Sequence, residues 1–102
     1  MIVALLAVVA MAADGPRVIE LANDSAVQVT SLKTEKNDAW SDNRLAQPIA
    51  PGDHRQVDFA VQNGDCRAWT RIDFSDGTYV DADIDYCSTS QITVTFRGIS
   101  WK

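Results

Sequence analysis

The chain has 102 residues, of which 14 are acidic and 9 basic, for a net charge of -5, and 46% of it is hydrophobic. That length suffices for one small domain and excludes an α/β barrel or a two-lobed enzyme with a cleft between its halves. The acidity excludes a protein that tracks nucleic-acid phosphates, whose footprint is basic, and implies weak attraction to anionic membranes.

Residues 1–12 carry no polar side chain and end in Ala10, Met11 and Ala12, the small-x-small pattern of a signal-peptidase site. The segment reads as a secretory signal, leaving 13–102 as a single mature domain. It is too short to span a bilayer, which needs about 18 or more apolar residues. The expectation is a periplasmic or secreted protein with no stable membrane anchor. A basic n-region is missing, since the first cation is Arg17. Export also bears on Cys66 and Cys87: in an oxidising compartment two cysteines favour one disulfide over a metal site or a reactive thiol.

Beyond Pro16 no window carries a 3.6-residue apolar period, and short alternating runs are separated by turn residues. The fold class is therefore all-β, a small antiparallel sandwich or open barrel of about six strands with one disulfide. Residues 17–21 form the first strand. Asn23-Asp24-Ser25 marks a turn and matches the glycosylation sequon. Residues 26–33 form the second strand. Residues 34–47 read as a long irregular loop, fastened to the core by a buried Trp40 in preference to presenting it as an exposed recognition residue. Pro51-Gly52 suits the centre of a type II turn, because Pro fixes φ and Gly accepts a positive one.

Three strands of a meander follow from their turns. Asn63-Gly64 is a strong hairpin signal and would set Val61 against Cys66, Phe59 against Ala68 and Val57 against Thr70. Ser75-Asp76-Gly77 fits a three-residue loop with Gly in the left-handed region, setting Ile72 against Val80, Thr70 against Ala82 and Ala68 against Ile84. Both registers keep the apolar side chains on one face, and a slip of one residue would expose them all. Cys66 then faces Tyr86, so bonding to Cys87 requires a bend where the third strand of the meander ends. Residues 91–97 supply the last strand, with Ile92, Val94 and Phe96 on one side, and Gly98 releases a tail.

The other face of the meander carries the candidate binding residues. Arg67, Trp69 and Arg71 lie in a row, flanked by Asp85, Asp83 and Asp81 on one side and by Ala60, Asp58 and Gln56 on the other. Trp and Arg are enriched at binding hot spots, so the patch formed by Arg67, Trp69, Arg71, Asp81 and Asp83 is suited to a protein or glycan partner. The competing reading is a solvated face of paired charges, each pair worth about 0.2 to 1 kcal/mol.

The aspartates also raise a calcium-stabilised structural domain of the cell envelope as an alternative. Their spacing does not make an EF-hand loop, since Tyr86 and Ile92 stand where Gly and Glu are required. Side chains two apart on a strand are also separated by about 7 Å, too far to share one ion unaided. No metal site, cofactor or catalytic residue is assigned. The single histidine, His54, follows a Pro-Gly turn, and no nucleophile elbow or Cys-His signature accompanies it.

Trp40 preceded by Asn37-Asp38 and followed by Asp42 and Leu45, then a Pro-Gly turn, one Cys, Phe74-Ser75-Asp76-Gly77 and a second Cys, together resemble small exported bacterial proteins of unknown role. Those proteins pair a Trp-Asp loop with a Cys, Phe-x-Asp-Gly, Cys hairpin. The resemblance spans residues 18–96 and implies a periplasmic or secreted β domain without a catalytic motif.

Overall fold

The computed structural model describes residues 15–61 and 66–102. The proposed signal segment and the Asn63-Gly64 turn lie outside the described residues. The rest is all-β, with eight strands and no helix: β1 (Gly15–Asn23), β2 (Val29–Lys36), β3 (Ala39–Trp40), β4 (His54–Val61), β5 (Arg67–Phe74), β6 (Tyr79–Asp85), β7 (Gln91–Thr95) and β8 (Gly98–Trp101). They form two four-stranded sheets, ordered β4-β1-β7-β8 and β3-β2-β5-β6. All pairings are antiparallel except that of β1 with β7.

Alternation, broken in β2 by a bulge between Val29 and Ser31, makes this a sandwich. In the first sheet Ile19, Leu21, Val57, Phe59, Ile92 and Val94 are buried; in the second, Leu32, Ala68, Thr70, Ile72, Phe74 and Ile84 are buried. The two inner faces form one core cluster, as expected when each sheet has only one apolar face to hide.

The β5–β6 hairpin has the register expected from its loop. Ala68 faces Ile84, Thr70 faces Ala82 and Ile72 faces Val80, with Gly77 at φ 90° and its N–H bonded to the Phe74 carbonyl at 3.1 Å. Gly52 at φ 82° and the bond from Asp53 N–H to Ala50 C=O at 3.0 Å likewise form the Pro51-Gly52 type II turn. The Cys66–Cys87 disulfide is present. It uses the required bend: Tyr86 N–H still bonds to Cys66 C=O at 2.8 Å, and the chain turns immediately afterwards, with Cys87 N–H held by Asp85 Oδ1 at 3.0 Å.

Other expectations are corrected. β4 does not pair with β5; it pairs with β1 in the opposite sheet, Ile19 against Val57 and Arg17 against Phe59. Val57 and Phe59 point into the core either beside β5 or across from it, so the alternation satisfied a hairpin that does not form. Residues 34–36 belong to β2, which begins at Val29, and the expected long loop opens with a tight turn. Asn37 at φ 52° and Asp38 at φ 64° make a two-residue connection to β3, the geometry of a type I′ hairpin. Trp40 is not core: it lies on this edge strand, 40% exposed. Gly98 begins β8 rather than a tail, and Phe96, at the β7–β8 turn, is 70% exposed.

The 41–50 segment is instead anchored by Leu45, Ile49 and one amide. Asn43 Oδ1 accepts from Leu32 N–H at 3.0 Å while Nδ2 donates to Thr30 C=O at 3.0 Å. The side chain thus stands in for a neighbouring strand beside β2. Such capping blunts an edge that would otherwise invite strand addition.

Tyr86 closes the core near the disulfide. It is 3% exposed, its ring lies 4.3 Å from that of Phe59, and its hydroxyl is hydrogen-bonded to Thr70 Oγ1. Burial pushes its hydroxyl up to about 12, against the opposing effects of the Thr70 bond and the Arg44 charge. The unfolded phenol ionises near pH 10, so the folded state retains a proton that the unfolded state loses. Stability should therefore decline between about pH 10 and 12, by roughly 2 kcal/mol. Urea unfolding of wild type and Tyr86→Phe at pH 8 and 11 tests this. The variant should start about 1 kcal/mol lower and lack the alkaline decline; equal declines would show that Tyr86 does not cause it.

Candidate functional site: the outer face of the second sheet

The inward set of β5 and β6 dictates the outward set. With Ala68, Thr70, Ile72 and Ile84 in the core, Arg67, Trp69 and Arg71 must face outward beside Asp85, Asp83 and Asp81. All five candidate residues thus share one face, and Trp69 is 41% exposed.

The flank on the other side is not β4. It is β2, which places Lys33 against Arg71 and Glu35 against Trp69, and then β3, which places Trp40 against Glu35. The row across the sheet therefore runs Trp40, Glu35, Trp69, Asp83, and the next runs Lys33, Arg71, Asp81. Tyr79, opposite Asp73, extends the face and is 53% exposed.

The two arginines behave differently. Arg67 reaches diagonally past its direct partner to Asp83 Oδ2, with Nη2 at 3.0 Å and Nε at 3.3 Å. Asp85 is engaged at the disulfide bend. Arg71 meets Asp81 only at 3.5 Å through Nη2. Its guanidinium lies between rings, 3.9 Å from the Tyr79 centroid and 5.1 Å from that of Trp40, an arrangement favoured by the ring quadrupoles. The Nε atom is buried and has no hydrogen-bond partner. Stacking, more than ion pairing, fixes this side chain.

Tyr79, Lys33 and Glu35 were not among the candidates from sequence, and Trp40, expected in the core, takes the exposed position that was its alternative. Asn37-Asp38 was the available signal, since Asn and Asp are the non-glycine residues that most readily enter the left-handed region. Read as a hairpin turn, it would have brought Trp40 back beside Glu35.

The aspartates do not converge on an ion. Asp73 is bonded to Ser31, Asp81 and Asp83 to arginines, and Asp85 to Cys87 N–H. Asp76 accepts from Thr78 Oγ1 at 2.6 Å and Thr78 N–H at 3.0 Å, which holds its carboxyl below the usual carboxylate range. Among the described residues, Cys66, Asp85 and Cys87 could bring three ligand atoms together, but the two sulfurs are bonded to each other.

His54 stands on the other sheet, its Nδ1 3.3 Å from Glu20 Oε2. An open polar cleft of about 450 Å³ lies between residues 41–46 and Gln56 and Asp58 of β4. Its Arg44 donates to Thr34 Oγ1 at 2.8 and 3.1 Å and lies 5.1 Å from the Phe59 ring centroid, so that guanidinium ties the loop to the core.

No protein-family model and no curated protein matches the chain. Among solved structures, an NMR structure of a protein from Eubacterium rectale is similar over 79% of this chain and 76% of that one, at 15% identity and a TM-score of 0.48.

Proposed function

We propose that the chain is an exported, non-catalytic recognition module that binds glycans on the outer face of its second sheet. The observation that carries this reading is the array of Trp40, Trp69 and Tyr79, each 40 to 53% exposed on one sheet face, interleaved with Arg67, Arg71, Glu35 and Asp83. Exposed indoles retain apolar surface to lose from water, while the neighbouring charges offer donors and acceptors to hydroxyl groups. The rings stand on an open pleated surface and not in a groove of the kind that holds many peptides. A sugar ring can stack on such a platform without a pocket.

Export is supported by the apolar segment at residues 1–12 and by the disulfide, since such bonds persist in oxidising compartments. Among the described residues no helix is long and apolar enough to cross a membrane. A periplasmic or secreted β domain of the small bacterial kind accords with these features. The calcium-stabilised alternative has less support, because the carboxylates of the ladder each engage a separate protein group.

Tryptophan fluorescence and NMR titration with neutral and acidic oligosaccharides test the reading. Binding should perturb the indole N–H signals of Trp40 and Trp69. Trp69→Ala should weaken it by about 2 kcal/mol, or roughly thirtyfold, while unfolding shifts by no more than about 0.5 kcal/mol. Binding unchanged in a Trp40→Ala/Trp69→Ala variant, or perturbation confined to the other sheet, would overturn it.

A further inference from the structure

We propose that this face selects acidic glycans, a uronate carboxylate being held between Lys33 and Arg71; the inference rests on the glycan-recognition reading above. It begins from an electrostatic imbalance. Lys33 and Arg71 are directly opposed on neighbouring strands, and like charges in that position destabilise a sheet unless an anion joins them. The acid in their row, Asp81, lies beyond Arg71 at 3.5 Å, longer than the roughly 2.7 to 2.9 Å of a good charge-assisted bond. Lys33 forms no ion pair among the described residues.

Arg67 supplies the internal contrast, because Asp83 already takes two of its donors at 3.0 and 3.3 Å. An incoming carboxylate would have to displace that acid. At Arg71 it need displace nothing: Nη1 has no partner among the described residues, and the side chain is 35% exposed. Tyr79 and Trp40 hold the guanidinium in place, so little ordering remains for binding to impose. A carboxylate that reaches Nη1 beside Lys33 would receive donors from both.

The adjoining row explains why the anion should be part of a sugar. Trp40 and Trp69 flank Glu35 across two interstrand spacings, which separates their backbone positions by roughly 10 Å. They can carry successive rings, and Glu35 is an acceptor for hydroxyl groups. A row of indoles and acceptor beside the paired cations Lys33 and Arg71 suits a chain of pyranose rings bearing carboxylates.

The test compares oligogalacturonate with its carboxyl-reduced, otherwise identical counterpart, using wild type, Lys33→Gln and Trp69→Ala. Wild type should bind the uronate at least about tenfold more tightly, equivalent to about 1.4 kcal/mol. Lys33→Gln should erase most of that preference, and Trp69→Ala should weaken both oligomers. The uronate preference should shrink at high salt, as expected of a solvent-exposed ion contact. Equal binding of the two oligomers by wild type would overturn the carboxylate assignment and leave glycan recognition standing. A preference that survives Lys33→Gln would overturn the site. A glutamate-rich peptide of equal charge binding as tightly as the uronate would overturn the sugar class. Binding of neither oligomer would overturn the inference, while recognition through the indoles is decided separately by the wider panel.

Discussion

Replacing Asn23 with alanine is expected to cost about 3 kcal/mol, because a fully satisfied buried amide is lost from the point where three segments meet. Asn23 is 1% exposed at the end of β1. Its Nδ2 donates to Val27 C=O and Ile49 C=O, both at 2.9 Å, and its Oδ1 accepts from Ser25 N–H at 3.0 Å and Ser25 Oγ at 2.6 Å. Its backbone adds a bond from N–H to Asp53 C=O and another from Gly52 N–H to its own C=O. The figure is not larger because some groups keep or gain a partner: Ile49 C=O still receives Val29 N–H, and the Ser25 hydroxyl, freed from Oδ1, can donate its one proton to Val27 C=O. At about 4 to 8 °C per kcal/mol for a domain of this size, melting should fall by roughly 15 °C.

Asn23→Asp distinguishes hydrogen bonding from mere volume. It retains the shape but replaces two donors with an acceptor facing two carbonyls. At neutral pH it should be at least as damaging as alanine, since a buried carboxylate lacks its solvation. Burial and the lost donors raise its pKa in the folded state. The protonated acid therefore favours folding below the unfolded pKa near 4, and that benefit is lost as pH rises through the folded value. Relative to wild type, the aspartate variant should recover stability at about pH 3, whereas alanine should not. Thermal melts of the three proteins at both pH values decide it; an alanine cost below about 1 kcal/mol would refute the structural role assigned to the amide.

The same residue shows where sequence reasoning stops. Asn23-Asp24-Ser25 reads equally as turn, sequon or buried keystone, and the difference lies in Ile49, a distant residue that local pattern cannot place. A glycan on Nδ2 would replace one of its two hydrogens and so break at least one of the two carbonyl bonds, which sets the buried role of the amide against modification in the folded domain. Long-range pairing was illegible for the same reason. Val57 and Phe59 alternate inward in either sheet, and only the availability of β1 as a partner decides between them. By contrast, the β5–β6 register was legible because Ser75-Asp76-Gly77 and the alternation of Thr70, Ile72, Val80 and Ala82 impose the same answer independently. Half of the candidate face followed from it. The other half depended on β3, where a strand of two residues leaves almost no periodic signal and the Asn37-Asp38 turn carries the information.

Removing the disulfide, as Cys66→Ala/Cys87→Ala, should lower stability by about 3 kcal/mol, the loop-closure entropy for a span of this size. The bridge joins residues 21 apart in sequence with Cα atoms 5.2 Å apart. It ties the start of β5 to the turn after β6, at the opposite end of the hairpin from the Ser75–Gly77 loop. That position bears on the proposed site, since Arg67 begins β5 and its partner Asp83 lies two residues before the end of β6. Without the staple, fraying should start at this end. Amide exchange should accelerate at Ala68 and Ile84 more than at Ile72 and Val80, which the loop still constrains.

Oligosaccharide affinity should fall in the same variant at temperatures where the domain remains folded, because Trp69 and Arg67 stand on the frayed segment while Lys33 and Trp40 do not. A purely global effect would lower the melting temperature and leave both low-temperature affinity and the exchange gradient unchanged. That outcome would confine the bridge to the unfolded-state entropy from which the estimate begins. An exchange gradient accompanied by loss of affinity would mean that the bridge also holds the arginine and indole of β5 in binding register.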